Sequence, residues 1–426
     1  MSANSRKWTR RAALTGAGAV IAGGAVMVVS RKTDKGGPHS TYFSELSAAL
    51  KQASVAQPVM VVDTQRLQHN IDAARTTLQG AGLALRVVVK SLPAAQLIER
   101  IAGALNTQRY MVFNGPMLAE MALRQPQSDL LLGKPLPVIA AEQFYKAMLA
   151  KGAAFADPQW LIDTSERLQQ YLQLAHSLNR RLRLNLEIDV GLHRGGFAES
   201  ESLKQAIGLI KQDTLALFAG LMGYDPHVPK VPNSESAYRQ SQEKYQAAIN
   251  VVRNEYGPEG SYTFNAAGSP TYALHAKGTV ANEVSVGSAF VKPTDFDIET
   301  LAQHVPAAFI ATPVIKSLPR SQVPGLEVLT TARRFFDPNT EHAFFIYGGH
   351  WLAQPESPPG LQYSDLYGRS SNQELLTGSA AVTLQPDDYV FLRPTQSEAV
   401  LLQFGDLLVY DGKTISERWP TFPVSA

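Results

Sequence analysis

From residue 58 to residue 290, short and almost wholly apolar runs alternate with amphipathic stretches of helical length. That rhythm limits what the chain can fold into more than any other feature. The runs are 58–63, 85–90, 109–114, 129–134, 159–164, 183–190, 217–224, 262–268 and 282–290. Helical stretches lie between them at 64–80, 93–104, 140–153, 165–179, 199–213 and 234–256, the first with Asp63 or Thr64 placed to cap it. Strands without polar alternation are buried on both faces, the condition of a parallel sheet covered by helices. About eight such units predict an α/β fold of the (β/α)8 barrel type. A doubly wound open sheet is the alternative, because periodicity does not register closure.

The texture changes near residue 299. "AAFIATPVIKSL", "LEVLTTARRFF", "EHAFFIYGG" and "AAVTLQPDDYVFLRP" read as short β-like runs broken by Pro, Gly and Asp, and "YDGK" at 410–413 reads as a hairpin turn. A barrel over 56–298 and a β domain over 299–426 follow, with a linker and helix at 37–55. Ahead of them, 1–36 carries Arg10-Arg11 after Thr9, an uncharged run from Ala12 to Ser30, then Arg31 and Lys32. This is the pattern of a twin-arginine export signal or an N-terminal membrane anchor, and it predicts a periplasmic protein served by the twin-arginine export machinery. With no cysteine in the sequence, disulfides and thiolate chemistry are excluded. The net charge of +2 gives no footing for nucleic acid.

In a parallel barrel the reactive groups gather at the C-terminal ends of the strands. Those ends offer Asp63, Lys90, Asn114, Asp163, Glu187, Asp189, Tyr224, Asn265 and Glu283. Lys90, closing "LRVVVK", is the only lysine or histidine among them. Desolvation disfavours an ammonium, so an amine in apolar surroundings becomes a usable nucleophile and a Schiff-base former. A lysine whose head simply reaches solvent at a strand end is the plainer reading. "NAAGSPTY" at 265–272 sets small and hydroxyl residues where backbone amides can approach a phosphate. "DVGLHRGGF" at 189–197 places Arg194 among glycines after a strand, free to meet an anion or a ring.

Taken in order, "PVMVVDTQRLQHNI", "LRVVVKS", "LEIDVGLHRGGF", "AGLMGYDPH", "AAGSPT", "NEVSVGSA" and "RPTQSEAVLLQFGDL", with the terminal "ERWPTF", resemble D-threonine aldolase and eukaryotic-type D-serine dehydratase. These are fold-type III pyridoxal 5'-phosphate enzymes with an alanine racemase-like barrel. The resemblance spans 55–423. It implies a barrel with the cofactor at its mouth, a C-terminal β domain closing over it, and a possible homodimer. It puts the Schiff-base lysine at Lys90, a cofactor-contacting arginine at Arg194 and a site-lining tyrosine at Tyr224. Asn265, Gly268, Ser269 and Thr271 fall in and around the phosphate cradle.

The resemblance also has gaps. The aldolase and the dehydratase carry a His-x-Asp or His-x-Cys pair for a divalent metal, and the matching positions here are Gln396 and Glu398. On a strand the i, i+2 spacing would set both on one face. One amide and one carboxylate offer Mg or Mn only a poor site. "RVVVKSLP" likewise lacks the basic neighbours of the family lysine. His227, His350 and Tyr347 are candidates for proton transfer. The resemblance implies a lyase acting on D-amino acids, cleaving β-hydroxy D-amino acids to glycine and an aldehyde. An amino-acid racemase and a non-catalytic binder of cofactor or amino acid are the rivals.

Overall fold

The computed structural model describes residues 31–423 apart from 259, 323, 324, 326 and 365–367. Most of the expected export signal or anchor, residues 1–30, lies outside the described residues. No described helix is long and apolar enough to cross a membrane. The described chain divides into two compact units. One is built from 31–63, Ala308–Thr395 and Leu408–Glu417, the other from Thr64–Ala307, Gln396–Leu407 and 418–423.

The larger unit is the barrel. β2 (Ala84–Val88), β3 (Arg109–Val112), β4 (Asp129–Leu132), β5 (Gln159–Ile162), β6 (Leu182–Ile188), β7 (Ala216–Gly223), β8 (Thr263–Ala266) and β9 (Glu283–Val286) close into a ring of eight. Every neighbouring pair is parallel, and β2 pairs with β9 to complete the circle. The open-sheet alternative is thereby set aside. The helices fall where the apolar spacing put them, including Thr64–Leu78, Ala95–Ala104, Val138–Lys151, Ser165–Leu178, Ser200–Gln212 and Ser234–Tyr256. Three helix starts are held by short polar side chains: Asn114, Thr164 and Asn233, ahead of Gly115–Arg124, Ser165–Leu178 and Ser234–Tyr256, accept from the amides of Met117, Arg167 and Ser236. Asn114, a strand-end candidate, is therefore a helix cap.

The N-terminal end of the barrel is plugged by charge. Arg86 of β2 is wholly buried, bonded to Glu283 of β9, to Asp129 of β4 and to the Tyr110 carbonyl. Arg109 and Arg183 complete the cluster. Glu283 thus opens its strand and serves this plug, contrary to the strand-end position read from sequence. Buried charges persist only when paired and hydrogen-bonded this fully.

The second unit is a nine-stranded sheet. Its main path runs β13 (Gln362–Tyr363), β14 (Gln373–Gly378), β11 (His342–Tyr347), β10 (Ala308–Leu318), β1 (Val59–Asp63), β16 (Leu407–Tyr410) and β17 (Ile415–Trp419). β15 (Tyr389–Pro394) pairs with β10 and with β12 (Ala353–Ser357). The run expected to open the barrel, 58–63, is instead β1, antiparallel to β10. Its side chains join a core of Phe43, Leu46, Leu50, Phe309, Phe391 and Tyr410. Asp63 accepts from the Tyr42 hydroxyl at 2.8 Å. "LEVLTTARRFF" is also not a strand: Glu327–Phe336 is helical, with Glu327 in its first turn and Arg333 and Arg334 in its last, as the helix dipole favours. The hairpin stands, as Asp411 accepts from the Lys413 and Thr414 amides between β16 and β17.

Candidate active site at the barrel mouth

At the C-terminal ends of the barrel strands lies a cavity of about 380 Å3, large enough for a cofactor. Lys90, Glu187, Arg194, Tyr224, Glu398 and the turns after β8 and β9 line it.

β2 stops at Val88, and Val89–Ser91 form a single 3-10 turn. Lys90 is therefore carried by that turn, two residues past the strand that the sequence extends to it. Its Nζ stands 4.6 Å from the centre of the Phe113 ring and 3.3 Å from Glu398 Oε1. The amine is thus half-buried against an aromatic face, with one carboxylate beside it.

After β6 the chain doubles back over its own strand end. Phe197 donates its amide to the Glu187 carbonyl at 2.8 Å, and a Cβ at Gly196, where φ is +94°, would press on that carbonyl. Asp189 holds the loop by accepting from the amides of Gly191 and His193 and pairing with the His193 ring. Burial raises the Asp189 carboxyl, but these donors outweigh it and hold it below its ordinary value. The loop presents Arg194 with its guanidinium 5.1 Å from the Tyr224 ring centre and 3.9 Å from Glu187. Burial lifts the Tyr224 phenol to about 12, Arg194 pulling the other way. Glu187 is raised by burial despite the same arginine.

The last two strands each end in a Gly-Ser pair. Ser269, after β8, accepts the amides of Gly287 at 3.1 Å and Ala289 at 3.0 Å, so the β9 turn is tied to the β8 turn. With both lone pairs engaged, the Ser269 hydroxyl has its own hydrogen left to give. At Gly268 a Cβ would stand 2.5 Å from Tyr224 Cε2, and at Gly287 one would stand 2.7 Å from Val88 Cβ. Backbone therefore approaches the cavity where no side chain fits, as an anion cradle needs. Asn265 donates to Glu283 at 2.7 Å and to Ser285 at 2.8 Å, linking the cavity floor to the Arg86 plug.

The cavity gathers Lys90, Arg194, Tyr224, Asn265, Gly268 and Ser269. Thr271 is wholly buried and bonded to Asp225 at 2.6 Å. His227 packs beside Gly191, while His350 and Tyr347 belong to the sheet unit, where His350 donates its amide to Glu374. Sequence reasoning passed over Phe113, Gly287 and Ser288. The second Gly-Ser pair, one residue past β9 as the first is one past Ala267, was the signal available.

These groups fit pyridoxal phosphate: an amine for its aldehyde, a hydroxyl and close backbone for its phosphate, and an arginine and tyrosine toward its ring. The metal pair is another matter. β15 ends at Pro394, Gln396 immediately precedes the short helix Ser397–Val400, and Glu398 sits in that helix. The shared strand face expected for the two residues does not exist. Gln396 donates its amide to Asp295 at 3.0 Å, and Glu398 is paired with Lys90. No group of three or more His, Cys, Asp or Glu able to hold a metal occurs among the described residues. The donor set does not fit a divalent metal.

A closed eight-strand parallel barrel with a lysine amine at its mouth, followed along the chain by a β-sheet domain, defines the alanine racemase-like class. The chain belongs to the family described as alanine racemase, N-terminal domain, which residues 62–294 match. No curated protein matches the chain significantly. Among solved structures, D-threonine aldolase from Filomicrobium marinum is similar at 16% identity, with a TM-score of 0.69 over 86% of this chain and 96% of that one. D-threo-3-hydroxyaspartate dehydratase from Delftia sp. HT23 follows at 15% identity and 0.66, covering 86% and 97%. Alanine racemase from E. faecalis gives 18% and 0.58, over 79% and 88%. At these identities the likeness is one of fold.

Proposed function

We propose that this chain is a pyridoxal phosphate-dependent lyase that cleaves β-hydroxy D-amino acids to glycine and an aldehyde. The observation that carries the reading is the Lys90 amine, set at the barrel mouth between the Phe113 ring and the Glu398 carboxylate. Lys90 would bond the cofactor's aldehyde carbon, Ser269 and the turns at Gly268 and Gly287 would hold its phosphate, and Arg194 and Tyr224 would face its ring. Bound there, the cofactor supplies an electron sink for the pair released when a bond to the amino acid's Cα breaks.

The protein's own groups do the rest. Glu398 takes the proton of the substrate's β-hydroxyl at a carboxylate oxygen as the Cα–Cβ bond parts and the aldehyde leaves. Lys90 Nζ, beside it, carries the proton that Cα needs to become glycine. Arg194, 3.9 Å from Glu187, keeps a positive charge by the ring. Export on the twin-arginine-like segment would put this chemistry in the periplasm, and replacing Arg10 and Arg11 by lysine would then hold the protein in the cytoplasm.

The test is the visible spectrum of purified protein before and after borohydride, with the labelled peptide mapped by mass spectrometry. A band lost on reduction, with a pyridoxyl group left on Lys90, supports the cofactor assignment; no band after cofactor is added refutes it. Incubation with D- and L-β-hydroxy amino acids then reads the reaction. The family match over 62–294 favours a second reading, racemization, with Lys90 as one of two bases flanking Cα. Product separates them: glycine and aldehyde, or the opposite enantiomer. Labelling without either product would mark a binding protein.

A further inference from the structure

Behind the β8 turn lies a buried polar chain that no step above uses. Asp225, directly after Tyr224, is buried, and its Oδ1 accepts from the Thr271 hydroxyl at 2.6 Å. Its Oδ2 faces His275 Nε2 at 2.8 Å, with both side chains almost wholly enclosed. The other His275 nitrogen, Nδ1, faces the Thr279 hydroxyl at 2.8 Å. That hydroxyl gives its hydrogen to Gln242 Oε1, which is fixed as the oxygen by accepting from the Val280 amide as well. Both ring nitrogens therefore have polar partners, and the Asp225–His275 pair is buried with its hydrogen bonds made.

The pair reaches the cavity through one residue. Thr271, having donated to Asp225, accepts the Gly268 amide at 3.3 Å. Gly268 and Ser269 are the residues of the turn that line the cavity, and Ser269 holds the β9 turn in its place. The Tyr238 ring packs edge-on against His275 at 5.2 Å and closes the chain off.

We propose that Asp225 is a positioning residue for the phosphate-binding turn: held by His275, its carboxylate locks Thr271 and, through it, the Gly268 backbone. Thr271 then acts on the phosphate by shaping the turn, and does not touch it. The inference rests on reading this mouth as a pyridoxal phosphate site. A phosphate is recognised here mostly by backbone geometry, so loosening the turn weakens the phosphorylated ligand selectively.

The experiment compares pyridoxal 5'-phosphate with pyridoxal, which has the same aldehyde and no phosphate. Each is titrated into the cofactor-free full-length protein and trapped on Lys90 with borohydride. For Asp225→Asn, binding of the phosphorylated form is expected to weaken about tenfold or more, with pyridoxal within about twofold of the unaltered protein. Thr271→Val, which removes only one hydroxyl, should repeat that pattern, and Thr271→Ser should restore the phosphate preference. Equal weakening of both ligands, or of neither, overturns the inference. Failure of the unaltered protein to trap either ligand overturns the cofactor reading instead.

Discussion

Lys90 and Glu398 meet at 3.3 Å because the residues next to them are joined by a third. Ser91, beside Lys90, and Ser397, beside Glu398, both bond to Ser288 Oγ at 3.0 Å, in the turn after β9. The three hydroxyls are buried, while the ion pair itself is about one-third exposed. A pair that exposed contributes little to stability. Its significance is placement: the serine bridge holds an acid next to the amine on which the proposed chemistry rests.

Replacing Glu398 by Gln keeps the shape and removes the proposed proton acceptor. Cleavage of β-hydroxy D-amino acids should then fall by about 10²–10⁴ in kcat, the usual worth of a general base. Borohydride labelling of Lys90 should be unchanged. Unaltered kcat would assign the proton to another group.

Gly268→Ala would set a methyl 2.5 Å from Tyr224 Cε2. The turn or the tyrosine must shift, and either change disturbs the cradle. Cofactor affinity is expected to drop while far-ultraviolet circular dichroism stays as before, and equilibrium titration of the purified variant measures it.

His304 provides a pH test of stability. It shares a hydrogen bond with the Tyr272 hydroxyl at 2.7 Å, and burial, with nearby Lys292, lowers it to about 4. Above pH 6.5 it is neutral folded or unfolded, and its contribution is complete. As pH falls from 6.5 to about 4 the unfolded chain takes up the proton first, so stability is lost by about 3 kcal/mol and then levels off. His304→Asn should remove this dependence, as read by chemical denaturation between pH 4 and pH 7.

Glu187 works in the opposite sense. Its carboxyl is raised by burial, so ionising it costs the folded state more than the unfolded chain. The contribution is fullest below the ordinary value of 4.5 and falls as pH rises through the raised one. Glu187→Gln should therefore match the unaltered protein in acid and exceed it in thermal stability near neutrality. A constant difference across that range would remove Glu187 as the titrating group.

The amino-acid sequence by itself determined a helix-covered parallel sheet and much of what lies at its strand ends, and the pairing of β2 with β9 closed that sheet into a barrel. Apolar runs such as Val87–Val89 suit only strands covered on both sides, and helix spacing between them leaves few ways to fold. Lys90, Arg194, Tyr224 and the Gly268-Ser269 turn were legible for the same reason: each lies in the turn or loop that leaves the C-terminal end of a barrel strand, so its place at the mouth comes with the topology. Tertiary structure alone decided who meets whom. Val59–Asp63 is as apolar as any barrel strand yet pairs with Ala308–Leu318. Glu398, read as half of a metal pair, leaves the strand and turns to Lys90. Thr271, read as a phosphate ligand, turns inward to Asp225. Apolar periodicity reports that a segment is buried but not against what. A polar side chain's partner depends on contacts between segments far apart in the chain, and these exist only once the barrel has closed.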